Sequence, residues 1–268
     1  MNRDAQFEAL IAEAMAAPVS GWRFTFLEER MRVERPSWNY ESLARGLLQR
    51  SRRAIDHGTG GGEVLADLGV VPSLLVATEA YAPKASLAAA RLSSLGASVV
   101  RVEPDTFDSR GPIDPLTTKR RLPFRAAWAD AFLARHSAFS PNEAFRVLQP
   151  GGELLYQGGL VSGRRPGHVQ LRDHMGSDYD PGWGEWEIRG TVLDAGFELL
   201  DYREQLLATH YLDIAAVVFE LRKAPWAVGQ FVLDDHRERL RELHDRICRD
   251  GYLRTTWTSV LVHARKTT

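Results

Sequence analysis

Cysteine is all but missing from this chain of 268 residues: Cys248 stands alone. That excludes an intramolecular disulfide framework, a multi-cysteine zinc ribbon and an iron–sulfur centre. Lysine is nearly as scarce, with Lys84, Lys119, Lys223 and Lys266 supplying only four of the 34 basic residues. Neither sign of charge dominates, since 35 acidic residues leave a net charge of −1, so no global field gathers nucleic acid or anionic lipid. No apolar run approaches the ~20 residues of a membrane helix. Met1 to Ala17 carries Asp4, Glu8 and Glu13 and lacks the basic-then-apolar plan of a signal peptide, so the expected compartment is the cytoplasm.

What is present is ordinary for a globular protein: 44% hydrophobic and 26% charged residues, enough chain for one large domain or two small ones. Phe7, Leu10, Ile11, Ala14 and Met15 recur at helical spacing before Pro18. An aromatic-rich stretch follows from Gly21 to Tyr40, then a helical pattern from Glu41 to Arg50. Beyond Arg53 short apolar runs alternate with helical ones. Ala54–Ile55, Leu74–Thr78, Ser98–Val102, Ala129–Ala134, Glu153–Gln157, Phe197–Glu204 and Thr256–Ala264 read as strands. Val64–Leu68, Ala85–Leu95, Asn142–Leu148, Thr191–Ala195 and Leu233–Arg249 read as helices. Such alternation predicts an α/β fold with a parallel sheet and helices on both faces. Phe107–Arg121 and Ser162–Trp186 fit it poorly and read as long loops.

The sharpest local signal joins the first of these strands to a helix: Asp56-His57-Gly58-Thr59-Gly60-Gly61-Gly62-Glu63. Glycines there let a ligand approach the backbone, and the helix start offers free N–H donors. A nicotinamide fingerprint wants glycine at the sixth position from Gly58, where Glu63 stands. The pattern is instead acid-x-Gly-x-Gly-x-Gly, on Asp56, Gly58, Gly60 and Gly62. Glu79 closes the next strand, Asp105 follows the third, and Arg146-Val147-Leu148-Gln149-Pro150-Gly151-Gly152 precedes another.

With these motifs in order, the chain resembles the class I S-adenosylmethionine-dependent methyltransferases, whose first motif and whose R-V-L-K-P-G-G turn read this way. The resemblance implies a Rossmann-like fold with a seven-stranded, mostly parallel sheet, an N-terminal helical lid and an inserted lid. It implies one methyltransferase domain over 1–268: a lid at 1–50, a cofactor-binding core at 51–160, acceptor-side loops and an insertion at 161–232, and a closing helix and strand at 233–268. The implied cofactor is S-adenosyl-L-methionine, with S-adenosyl-L-homocysteine as product. Gly58, Thr59, Gly60 and Gly62 would lie against its methionine part, with Asp56 toward the ammonium and Tyr40 over that end. Glu79 would accept hydrogen bonds from the ribose hydroxyls, a task suited to an acceptor-only carboxylate. Asp105 or Thr106 would meet the adenine, and Ala134 would line the site. His57 stands where relatives carry an aliphatic residue and reads as a hydrogen-bonded structural histidine.

The crevice of such a fold lies at the carboxyl ends of the strands, so the acceptor would meet Ala134-Arg135-His136 and Gln157-Gly158-Gly159. The Asn-Pro-Pro-Tyr run of amide and base methylators is absent, and Arg135-His136 stands where the metal-dependent relatives place a carboxylate, so no metal is expected. A hydroxyl, acidic carbon or ammonium acceptor needs a base, and histidine titrates in the right range. His136 is the first candidate, followed by His174 and His210. The run from Thr209 to Leu221, followed by Pro225-Trp226, resembles an insertion that covers the acceptor in one bacterial subgroup, and it reads equally as an extra core helix. Trp22, Trp38, Tyr211 and Trp226 would form an apolar cover with Arg135, suited to a small organic acceptor. An RNA base methyltransferase is the rival enzyme, with Arg50, Arg52 and Arg53 near the crevice and Lys119, Arg120 and Arg121 as a second basic run. A cofactor-binding partner protein without catalysis is the other rival.

Overall fold

A computed structural model describes residues 2–19, 25–102, 107–108, 111–112, 121–160, 168–178, 188–223, 228 and 230–267. Trp22, Asp105, Thr106, Lys119, Arg120 and Trp226 lie outside the described residues.

The elements follow the alternation in the sequence. Helix α1 (Arg3–Ala16) begins at Asn2 and buries Phe7, Ile11 and Ala14, one face at three- and four-residue steps. Strand β1 (Met31–Val33) leads to α2 (Tyr40–Arg50), whose first turn is capped by the Asn39 side chain accepting from the Ser42 N–H at 2.9 Å. Then come β2 (Arg53–His57), α3 (Glu63–Leu68), β3 (Leu74–Glu79), α4 (Ala82–Leu92) and β4 (Ser98–Arg101). A short hairpin pairs β5 (Phe107–Asp108) with β6 (Gly111–Pro112). The chain continues through β7 (Ala129–Arg135), α5 (Pro141–Val147), β8 (Leu148–Leu160), α6 (Leu171–Met175), α7 (Ile188–Asp194), β9 (Phe197–Tyr211), α8 (Ile214–Lys223), α9 (Leu233–Asp250) and β10 (Leu253–Lys266). Among the described residues no helix is long and apolar enough to cross a membrane.

The main sheet has eight strands in the order β1-β9-β10-β8-β7-β2-β3-β4. β2 is parallel to β3 and β7, β3 to β4, and β7 to β8, while β1 pairs antiparallel with the end of β9. The eighth strand is this short β1, three residues without an alternating apolar pattern of their own. That is why periodicity points to seven.

The chain divides into two compact units. The larger comprises Pro36–Leu160, Glu185–Gln205 and Ser259–Thr268. Its strands alternate sides: Ala54, Leu133 and Leu155 join one apolar cluster and Ile55, Phe132 and Leu154 the other, so both faces of the sheet are covered. Helix α2, assigned from sequence to the lid segment, packs Ala44, Leu47 and Leu48 into the first of these clusters. The smaller unit comprises Met1–Arg35, Val161–Gly184 and Leu206–Thr258. Its core is built on α8, where every residue from Ile214 to Phe219 is at most 1% exposed, with α1 and α9 contributing Phe7, Ile11, Leu240, Leu243 and Ile247. Of the run read from sequence as an insertion or a core helix, Thr209–Tyr211 continues β9 and Ile214–Leu221 lies in this core helix.

Candidate active site

The carboxyl ends of β2, β3 and β7 come level in the larger unit, where His57 pairs with Thr78 on one side and Ala134 on the other. The glycine-rich turn leaves β2 at this edge. Gly58, Gly60 and Gly62 all have left-handed φ, at +67°, +64° and +78°. Two of them are also sterically required. A Cβ on Gly58 would lie 2.0 Å from the Ser137 Oγ, and one on Gly62 would lie 3.0 Å from Leu92 of α4. By contrast a Cβ on Gly60 would meet only the Lys84 Nζ, at an ordinary contact distance of 3.9 Å. The Thr59 N–H is tied to the Thr78 carbonyl at 2.9 Å. Arg91 of α4 braces the turn from the other side, donating to the Gly61 carbonyl and pairing with Glu63 at 2.7 Å.

Two carboxylates converge on this turn. Asp56 has its pKa raised to about 6, chiefly by loss of solvent; the Thr59 hydroxyl and His57 oppose the shift and the Glu79 charge adds to it. Glu79 is buried, and one oxygen accepts the Gly60 N–H at 2.8 Å while the other accepts Ala80 and Tyr81 N–H at 2.9 Å each. Three of about four acceptor positions of the carboxylate are thereby used to shape the turn, leaving about one for a ligand donor. Lys84 stands near Glu79 and Glu63; burial lowers its pKa and those two charges oppose the shift. In a chain with four lysines, that scarcity is the one sequence signal that singles Lys84 out.

The neighbouring edge is made by the ends of β7 and β8 and the start of α2. Ala134 is fully buried beneath the turn. Arg135 lies with its guanidinium 5.7 Å from the centre of the Tyr40 ring and one Nη 3.5 Å from Glu41. Tyr40 is buried, and its phenol pKa is pushed well up by burial and by the Asp56 charge, with Arg135 acting against them. His136 has a left-handed φ of +49°, uncommon for a residue with a side chain, and its N–H donates to the Gln157 carbonyl at 2.8 Å. The ring's pKa is held below the ordinary histidine value by partial loss of solvent and then by the Arg135 charge. The Gln157 side chain accepts the Trp38 indole N–H at 2.8 Å, so Trp38 is a buried, hydrogen-bonded residue of this unit.

His57 has both ring nitrogens engaged, Nδ1 with the Thr78 hydroxyl at 2.9 Å and Nε2 with the Ala138 carbonyl at 3.1 Å, as expected of a structural histidine. The remaining candidates belong to the smaller unit. His174 is buried, with Nε2 2.7 Å from the Arg254 carbonyl and Nδ1 3.5 Å from an Arg246 nitrogen. His210 packs edge-on against Tyr252 at 4.6 Å. Tyr211 is a core residue at 5% exposure, its phenol pushed up by burial and by the Glu220 charge and drawn back by the Thr255 hydroxyl. Arg50, Arg52 and Arg53 sit not near the crevice but at the amino end of β2, roughly 16 Å of strand from the glycine turn. There Arg50 pairs with Glu153 at 2.5 Å, and the Arg52 and Arg53 N–H groups share Asp130 at 2.7 Å. Thr78, Ser137 and Glu41 also belong to the site's frame, and only their meeting across distant segments reveals them, whereas Gln157 is expected there from the sequence. Among the described residues no group of three His, Cys, Asp or Glu side chains could hold a metal ion.

Solved structures share this architecture. A candidate methyltransferase of Bacillus halodurans C-125 aligns with a TM-score of 0.53 at 17% identity, covering 85% of this chain and 97% of the other. The YcgJ protein of Bacillus subtilis aligns at 0.52 and 12% identity, covering 85% and 98%. A protein of unknown function from Deinococcus radiodurans R1 aligns at 0.52 and 13%, covering 88% and 90%. No protein-family model and no curated protein sequence matches the chain. At these identities the likeness is one of fold, a Rossmann-like α/β fold with helices on a mostly parallel sheet.

Proposed function

We propose that the protein is an S-adenosylmethionine-dependent methyltransferase acting on oxygen, carbon or nitrogen of a small organic acceptor. The observation that carries this reading is the left-handed glycine turn at the end of β2 with the Asp56 and Glu79 carboxylates converging on it. The residues fit the cofactor. Asp56 is a carboxyl short of solvent that among the described residues has no Lys or Arg within ion-pair distance, a place an amino-acid ammonium would fill. Glu79 keeps acceptor capacity for a ribose hydroxyl, and the turn's middle has room where a side chain would stand.

Bound S-adenosylmethionine supplies an electrophilic methyl group on a sulfonium, open to direct displacement. The chain's own part is to orient and to handle a proton. Tyr40 and Trp38 are buried aromatics on the acceptor-side edge and limit water there. Positioning of this kind supplies much of the rate of a displacement. His136, its ring held neutral at physiological pH, takes the proton that a hydroxyl, carbon acid or ammonium acceptor must lose. Arg135 lies next to it and contacts the acceptor. His174, with both ring nitrogens engaged, is a structural residue in this reading.

Calorimetric titration of S-adenosylhomocysteine into the wild type and Glu79→Ala tests the reading. Micromolar binding to the wild type, weakened by about 1.5–3 kcal/mol in the variant, supports it. Absence of binding to the wild type returns the glycine turn to a purely structural role. Release of S-adenosylhomocysteine in the presence of an acceptor separates an enzyme from a non-catalytic binding partner.

A further inference from the structure

We infer that the methyl acceptor carries a carboxylate, held by Arg135 at the end of β7 beside His136. The inference rests on the methyltransferase reading and names its acceptor class.

A guanidinium keeps its proton at any pH a protein survives, so its charge and its five N–H donors must be met by position rather than by titration. At Arg135 they are met only in part. Among the described residues its buried Nε has no hydrogen-bond partner. Among the described residues the one carboxylate within ion-pair distance is Glu41, at 3.5 Å, beyond a good charged hydrogen bond, and that side chain is 53% exposed. Tyr40 offers the guanidinium a ring whose centre lies 5.7 Å from the cation's central carbon. Paired N–H groups of a guanidinium match the two oxygens of a carboxylate, and this side chain keeps 31% of its surface exposed.

The surroundings select the sign of the guest. Arg135 follows the fully buried Ala134 and precedes His136, so whatever binds it lies within one residue of the proposed base. The Arg135 charge already acts on the His136 ring, which shows that the two share one electrostatic environment. A cationic acceptor there would face a guanidinium met only by the exposed Glu41 at 3.5 Å; a carboxylate would supply a closer counter-charge. The buried phenol of Tyr40 borders the same place and gives such an acceptor an apolar wall.

The test uses the full chain loaded with S-adenosylhomocysteine and a panel of small hydroxy, amino and keto acids, each paired with its uncharged primary amide. Binding is read by calorimetry, and methyl transfer by release of S-adenosylhomocysteine from S-adenosylmethionine. The expected result is that at least one acid binds tenfold or more tightly than its amide. Arg135→Gln should erase that preference while still binding S-adenosylhomocysteine, which also reports that it is folded, and Arg135→Lys should restore part of it. Equal binding of acids and amides, no binding of any acid, or a preference that survives Arg135→Gln would overturn the inference. If the wild type binds no S-adenosylhomocysteine at all, the methyltransferase reading itself fails, an outcome distinct from these because it does not involve Arg135.

Discussion

The main-chain N–H of His136 donates to the carbonyl of Gln157 at 2.8 Å, linking the end of β7 to β8. It does so with His136 in the left-handed region, at φ +49°. That backbone region is uncommon for a residue with a side chain, and outliers of this kind gather at functional sites.

His136→Ala should therefore lower kcat by about 10²–10⁴-fold, the usual weight of a general base, and leave S-adenosylhomocysteine affinity within a few-fold. The pH profile of the wild type gives a second check. The base acts unprotonated and its pKa lies below the ordinary 6.5, so activity should hold at neutral pH and fall only on the acid side of that value. Unchanged steady-state turnover in the variant would remove His136 from the chemistry.

Cofactor binding should depend on pH through Asp56. Its carboxyl, raised to about 6, is charged above that pH and neutral below it, and the ammonium it would hold favours the charged form. Affinity for S-adenosylhomocysteine should be flat from pH 7 upward and weaken by up to about tenfold per unit on descending below 6. Asp56→Asn should flatten that profile; calorimetry across pH 5–8 reads both.

Gly58→Ala meets two separate obstacles, a φ of +67° and the Ser137 side chain 2.0 Å from the new Cβ. The backbone part alone costs about 1–2 kcal/mol. Adding Ser137→Gly should recover the steric part and none of the backbone part, so a denaturation double-mutant cycle should show coupling between the two sites. Additive effects would mean that Ser137 does not wall the turn.

Glu79→Gln should act before any ligand is present. The carboxylate collects the Gly60, Ala80 and Tyr81 N–H groups, and an amide offers one oxygen where the carboxylate offers two. A loss of about 1.5–3 kcal/mol of stability is expected from a charged hydrogen bond that is broken. A thermal melt of the ligand-free variant at the wild-type midpoint would contradict this structural role.

The strand and helix alternation from β2 to β8 was legible because it rests on local periodicity, and the turn at Gly58–Gly62 because it rests on backbone chemistry confined to a few consecutive residues. The run Arg146–Gly152 likewise marks its own turn. Other features depend on which distant segments meet. Ser137 against Gly58, Thr78 against His57, Trp38 against Gln157 and Arg135 beside Tyr40 join positions 21 to 119 residues apart, and no spacing announces them. The basic run at Arg50–Arg53 was misplaced for the same reason, since composition does not say which end of a strand faces the crevice. Sequence alone determined the strand and helix alternation from β2 to β4 and from β7 to β8 and the glycine turn, each governed by interactions within a few residues; β1, the β5–β6 hairpin and α6, the last two inside segments read as loops, are too short to carry a period of their own. Only tertiary structure decided that the Glu79 carboxylate is mostly spent on backbone, that the His136 N–H is tied to Gln157 and that among the described residues Arg135 keeps an unmet donor, because burial and pairing are properties of segments brought together by folding.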